Sequence, residues 1–245
     1  MIPRLFCSGA LVVGDTLSLP QKPAHHARDV LRLAAGAEVT LLNGLGGEYR
    51  ARLGMVGKRE VVAEVLEFRQ RESEPPYPVT IAQSLAGGDK MDWIVEKSVE
   101  LGAATIVPLA AARSVLRLAP LRAAKRLEHW RAIAQSACEQ CGRNRLPQVE
   151  SIMSLDQWLA SMRESHSVKL MLSPVHATTF SSLAAPAPGT PITLLIGPEA
   201  GLTDAEEIRA QDAGFKPVLL GPRVMRSETA ALAALAAIHA RWGDF

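Results

Sequence analysis

The run Leu220-Gly-Pro-Arg223-Val-Met-Arg226-Ser-Glu-Thr229 sets two guanidinium groups three residues apart, between a Gly-Pro turn and an alanine-rich stretch. An arginine at the mouth of a helix can donate to a carbonyl or anionic oxygen, which suits it to stabilising negative charge on a reacting group. Ser227 is expected to cap that helix, with Glu228 near its positive end. A carboxylate, Glu199, sits in a second turn, Ile196-Gly-Pro-Glu-Ala-Gly201, and Leu172-Ser-Pro174 repeats the pattern of small residue plus proline. Cys138-Glu-Gln-Cys141 has metal or redox spacing. It ends a helical pattern instead of opening one, however, and neither a second cysteine pair nor histidines at metal spacing accompany it. No metal site is expected.

Each of the three turns follows a short apolar run, VKLML, ITLLI or PVLL, with no polar alternation. Such runs indicate strands buried on both faces of a mostly parallel α/β sheet, and ligands of these sheets bind beyond the carboxyl ends of the strands. Helices are expected over KMDWIVEKSVELG, from about Pro120 to Cys141, after the capping boxes Ser154-x-x-Gln157 and Thr203-x-x-Glu206, and over the C-terminal alanine-rich stretch. Neither a phosphate-binding P-loop nor a dinucleotide fingerprint occurs, so the ligand is expected to be held by backbone groups without a phosphate cradle, as an adenosine-type cofactor lacking phosphates would be.

The proline-rich RESEPPYPV, residues 71–79, marks a boundary. Before it, AEVTLLNG and GGEYRARL alternate around Asn43-Gly44 as a hairpin, EVVAEVLEF continues as a strand, and a short helix is expected from His25 to Leu33. Residues 1–72 thus resolve as a small β-barrel, 73–78 as linker and 79–245 as the α/β domain.

At 245 residues and 48% hydrophobic, the chain can build sizeable cores. Its start has no basic region leading into a sustained apolar run, no stretch is long enough to cross a bilayer, and its odd count of three cysteines suits a reducing compartment. A soluble, cytoplasmic protein is expected, with no membrane partner. The net charge of +2 hides an asymmetry: residues 113–145 carry eight Lys or Arg against Glu128 and Glu139. A solvated helix face would account for it. So would polyanion contact, since Arg143 and Arg145 lie in the turn CGRNRLPQ.

The strings KSVELGAATIVPL, EQCGRNRLP, IGPEAGL and LGPRVMRSETA closely resemble the RsmE family of ribosomal RNA small-subunit uridine-N3 methyltransferases, within the knotted SPOUT superfamily. PRLF and HHARDVLRL, with the following hairpin, are similar to that family's N-terminal PUA-like domain. The family's Gly-Pro-Glu-Gly-Gly reads Gly197-Pro-Glu-Ala-Gly201 here, and Ala200 is tolerable unless its position needs positive φ.

The resemblance implies a SPOUT α/β knot, with a deep trefoil knot in the last third of the chain, preceded by a PUA-like β-barrel. It implies S-adenosylmethionine among Leu172, Ile196, Gly197, Pro198, Glu199, Gly201, Leu220, Gly221, Met225, Arg226, Thr229 and Ala230. A homodimer is implied too, with 16S rRNA in the assembled small ribosomal subunit as substrate. Arg226 would stabilise the ionised uridine, with Arg223 the alternative. Glu199 would be a general base or, as its position beside an arginine favours, a partner holding Arg226 and offsetting the cofactor's charge. RNA contacts would come from Arg4, Arg32, Arg113, Arg143, Arg145 and Arg223. Rival readings are a SPOUT enzyme acting on a ribose 2′-hydroxyl, a non-catalytic ribosome-assembly protein and, disfavoured by the absent phosphate motif, a nucleotide-dependent enzyme.

Overall fold

In the first of two units, alternating apolar residues build a sheet from β1 (Arg4–Phe6), β2 (Thr16–Ser18), β3 (Glu38–Leu42), β4 (Glu48–Val56) and β5 (Val61–Arg69). A computed structural model of the chain describes residues 2–115, 119–175 and 177–245, so Arg117 of the basic segment and His176 lie outside the described residues. The units comprise residues 1–74 with 135–146, and 75–134 with 147–245. Residues 135–146, assigned from the sequence to the second domain, therefore pack with the first.

The order of the first sheet is β1-β3-β4-β5-β2. Leu5, Val39, Leu41, Ala51, Leu53, Ala63 and Val65 project from alternate positions into one core. Register shifts at Arg50/Ala51 and Leu53/Met55 interrupt the long β4–β5 pairing, and such bulges coil a sheet round its core. Helix α1 (Gln21–His25) starts before the expected position and runs directly into a π-helical turn, His26–Val30. Arg32 follows at φ 52°, the one non-glycine residue with positive φ among the described residues.

The second unit alternates strand and helix: β6 (Val79–Ser84), α2 (Lys90–Glu100), β7 (Ala103–Ala110), α3 (Pro120–Cys141), β8 (Gln148–Val149), β9 (Met153–Ser154), α4 (Leu155–Met162), β10 (Val168–Leu172), β11 (Thr178–Thr179), β12 (Ile192–Ile196), α5 (Asp204–Asp212), β13 (Lys216–Leu219) and α6 (Ser227–Trp242). Its sheet has the order β11-β13-β10-β12-β6-β7-β8, with β9 also against β7, and these pairings are parallel. All five residues of β12 are buried, as a central parallel strand requires. Both capping boxes form, at Ser154 for α4 and Thr203 for α5. No helix among the described residues is long and apolar enough to cross a membrane.

The turn after α3 has a structural role in the first unit. The Gly46 amide donates to the Asn144 carbonyl at 3.2 Å and the Leu146 amide to the Gly44 carbonyl at 3.1 Å, so residues 144–146 lie along the β3–β4 turn. Asn144, wholly buried, accepts from Arg4 Nη2 at 2.5 Å and donates to the Arg71 carbonyl at 2.6 Å. Arg4 pairs with Glu48 at 2.7 Å, and Arg143, only 3% exposed, donates from Nε to Glu74 at 3.0 Å. Arg4 and Arg143, expected to contact RNA, thus have guanidinium groups largely withdrawn from solvent and paired with carboxylates.

Removing one partner of a buried pair leaves the other charge uncompensated. Arg143→Ala should accordingly destabilise the protein by roughly 3 kcal/mol, visible as a lower midpoint in chemical denaturation. An Arg143 that served RNA alone would leave that midpoint unchanged.

Candidate functional site

The parallel register fixes where the loops emerge. Leu172 at the end of β10 pairs with Val218 of β13, and Ile196 at the end of β12 pairs with Gln83 of β6. The three Gly-Pro or Ser-Pro turns therefore leave one edge of the sheet from adjacent strands. Between the β10 and β13 exits lies a cavity of about 260 Å³, walled by Leu172, Ser173, Pro174, the segment from Val218 to Met225, and Ala230. Its wall is mostly aliphatic, with Ser173 and Arg223 as its polar side chains, a lining suited to a ligand with a flat apolar face.

Of the residues expected at a cofactor, Leu172, Leu220, Gly221, Met225 and Ala230 line this cavity, joined by Arg223 from the expected RNA contacts. Ile196 to Gly201, Arg226 and Thr229 lie outside its wall. The 196–201 turn is instead joined to the start of α6 by a link the sequence reading missed. Gln83 Nε2, fully buried, donates to the Ser227 hydroxyl at 2.9 Å, and that hydroxyl donates to the Gly197 carbonyl at 2.6 Å. Ser227 is thus not the helix cap. Arg226 occupies the N-cap position, with extended backbone and no side-chain capping bond.

Gly201 adopts φ +71°, while Ala200 is not among the residues at positive φ, so its extra methyl meets no backbone conflict. Arg113 Nη1 donates to the carbonyls of Ala200 and Leu202 at 3.2 and 3.1 Å. This arginine, expected on RNA, braces the turn.

Glu199 does not pair with Arg226. Its carboxylate accepts from the Gly87 amide and from Lys90 Nζ, both at 3.1 Å, and Lys90 also stands 3.6 Å from Glu228. Burial pushes the Glu199 carboxyl upward, but its own amide, the Gly87 amide and Lys90 more than offset that, leaving its pKa below the ordinary glutamate value. These contacts thus hold above the ordinary carboxylate range and weaken only as pH falls through the depressed pKa. Lys90 begins α2, where the helix dipole disfavours a cation; that misplacement was the available signal of its partners. Arg223 and Arg226 are exposed and have no ion pair or side-chain hydrogen bond among the described residues.

Among the described residues no group of three or more His, Cys, Asp or Glu could hold a metal ion. Burial pushes the Cys138 thiol up to about 12, removing the thiolate that reactivity would need.

Residues 73–239 match the family model of an RNA methyltransferase domain, and residues 19–66 that of an RNA methyltransferase PUA domain. Ribosomal RNA small subunit methyltransferase E of Bacillus subtilis is 36% identical over 91% of this chain and 89% of the relative. The protein of the same name from Synechocystis is 33% identical over 98% and 78%. The solved structure of a ribosomal RNA small subunit methyltransferase E from Neisseria gonorrhoeae, bound to S-adenosyl methionine, superposes with a TM-score of 0.93 at 40% identity and full coverage of both chains.

Ser227→Ala removes the hydroxyl between Gln83 and Gly197 and leaves a buried donor and a carbonyl unpaired, at a cost of about 1–3 kcal/mol. Urea denaturation should show that loss, whereas a simple capping serine replaced in an otherwise intact helix would leave Gln83→Leu additive with it.

Proposed function

The chain belongs to the ribosomal RNA small subunit methyltransferase E family, and on that premise we propose that it transfers a methyl group from S-adenosylmethionine to N3 of a uridine in 16S rRNA. What carries the reading is the cavity at the ends of β10 and β13, with the exposed, unpaired Arg223 in its wall and Arg226 three residues further along the chain. The aliphatic wall fits an adenosine moiety, with Leu172, Leu220, Gly221, Met225 and Ala230 holding it. When bound, the cofactor supplies a methyl group made electrophilic by its sulfonium.

Uridine N3 becomes nucleophilic once its imide proton leaves. Holding that group ionised a couple of units below its pKa costs roughly 3 kcal/mol. Arg226, exposed and unpaired at the N-cap of α6, can donate to a carbonyl flanking N3 and so stabilise the anion, assisted by the positive end of the helix. Glu199, tied to Lys90 and Gly87 with a lowered pKa, makes a poor proton acceptor and serves to hold the 196–201 turn against the residue 87–90 loop.

We read the active molecule as a homodimer. Beside the buried face of α6, formed by Ala231, Ala234, Leu235 and Ile238, the half-buried Leu232, Ala233, Ala236 and Ala237 leave room for close approach of a second copy. A ribosomal substrate supports a cytoplasmic location.

The deciding experiment incubates the protein with labelled S-adenosylmethionine and small subunits from a strain lacking it, then identifies the nucleoside by mass spectrometry. We expect 3-methyluridine; a 2′-O-methylated product would overturn the acceptor assignment. Arg226→Ala should abolish turnover while keeping cofactor affinity within a few fold, and near-normal single-turnover methylation would contradict its role. Glu199→Gln should lower kcat by less than about tenfold, against the 10²–10⁴ that loss of a general base removes.

A further inference from the structure

Most of the lysines and arginines of the first unit are matched by carboxylates. Arg4 and Arg71 engage Glu48, Arg50 engages Glu38 and Glu67, Arg52 approaches Glu38, Arg69 engages Glu67, Arg143 engages Glu74, Arg145 engages Glu72 and Arg28 engages Asp29. Among the described residues of this unit, the lysines and arginines left without an ion pair are Lys22, Arg32, Lys58 and Arg59. They are not scattered. Lys22 lies in α1 and Arg32 just after its π turn, and Lys58-Arg59 lie in the turn between β4 and β5.

A cavity of about 380 Å³ joins these two segments, with Gln21, His25, Arg28, Lys58 and Arg59 in its wall. The arrangement is braced. Arg28 Nη1 donates to the Lys58 carbonyl at 2.9 Å and the Gly57 carbonyl at 3.3 Å, so it holds the turn in place. Asp29 in turn holds Arg28 through Nε at 3.0 Å and accepts from or pairs with His25 Nδ1 at 2.6 Å. Among the described residues no carboxylate lines the cavity: Asp29 is engaged in this way, and Glu60, which follows Arg59, is not in the wall. The π turn leading out of α1 is a backbone form concentrated at functional sites.

We propose that this pocket is a phosphate site for the RNA backbone, in which Lys58 and Arg59 contact phosphodiesters and Arg28 positions them. The inference rests on the RNA methyltransferase reading and relocates its RNA contacts, because Arg4 and Arg143 of the first unit are buried in ion pairs. Two unpaired cations on a fixed turn beside a concave wall suit a polyanion, whose binding releases condensed counterions. Phosphate contacts of this kind orient the substrate without reading its sequence.

The test measures binding of the full chain to deproteinised small-subunit rRNA and to intact small subunits across a salt series, with cofactor affinity measured in parallel. Lys58→Ala/Arg59→Ala should weaken binding to both by on the order of tenfold and flatten the slope of log affinity against log salt by roughly 1.4 to 1.8, two phosphate contacts' worth. Arg69→Ala, which removes a paired arginine of β5, should change neither. Unaltered affinity and slope in the double variant, with the wild type binding normally, would overturn the pocket while leaving the methyltransferase reading intact. A loss confined to intact subunits would overturn it too, pointing to an acidic protein partner. A wild type that binds cofactor but neither RNA nor subunits would overturn the pocket together with the RNA-substrate reading.

Discussion

Parallel hydrogen bonding among β13, β10, β12 and β6 brings four chain exits to one edge of the second unit's sheet, and everything at the candidate site depends on that alignment. A parallel strand cannot turn straight back, so each exit must become a loop leading to a crossover, and adjacent loops then share a common space. The prolines and small residues of these loops keep the backbone close and stiff. The cavity beside Leu172, Leu220 and Gly221 follows from that geometry more than from any single side chain.

A second layer of order comes from satisfying polar groups where the chain is buried. Gln83 stands at the end of a strand with every residue from Ile81 to Ser84 buried, so its amide must find partners inside the protein. Its Nε2 finds them in the Ser84 carbonyl and the Ser227 hydroxyl, while its Oε1 has none among the described residues, and through Ser227 the first turn of α6 is tied to Gly197. The 196–201 turn is therefore held by this hydrogen-bonded link, while the exposed Arg226 is left free. Lys90 does comparable work from α2, bridging Glu199 and Glu228 and keeping both carboxylates away from the arginines.

Cations separate into the same two classes. Arg4, Arg143 and Arg113 have donors directed at carboxylates or backbone carbonyls. Arg223, Arg226, Lys58 and Arg59 have none so directed and face solvent. Composition counts both classes alike. Charge density along 113–145 drew attention to Arg143, yet the residues it neighbours in sequence are not the ones that neutralise it; Glu74 lies 69 positions away.

Local rules were sufficient for much of this chain. The extent of α3, the two capping boxes, the β3–β4 hairpin with its glycines and the buried parallel strands are each set by interactions within a few residues, or by burial so complete that composition reveals it. The turns carrying Glu199 and Arg226 were legible for the same reason. Tertiary structure alone decided who meets whom: that Ser227 binds Gly197 instead of capping its helix, that Lys90 and not Arg226 holds Glu199, and that residues 135–146 pack with the first unit. Hydrogen bonds and ion pairs of this kind join residues up to 144 positions apart, and a sequence records the groups that need partners without recording which partner the fold brings within 3 Å.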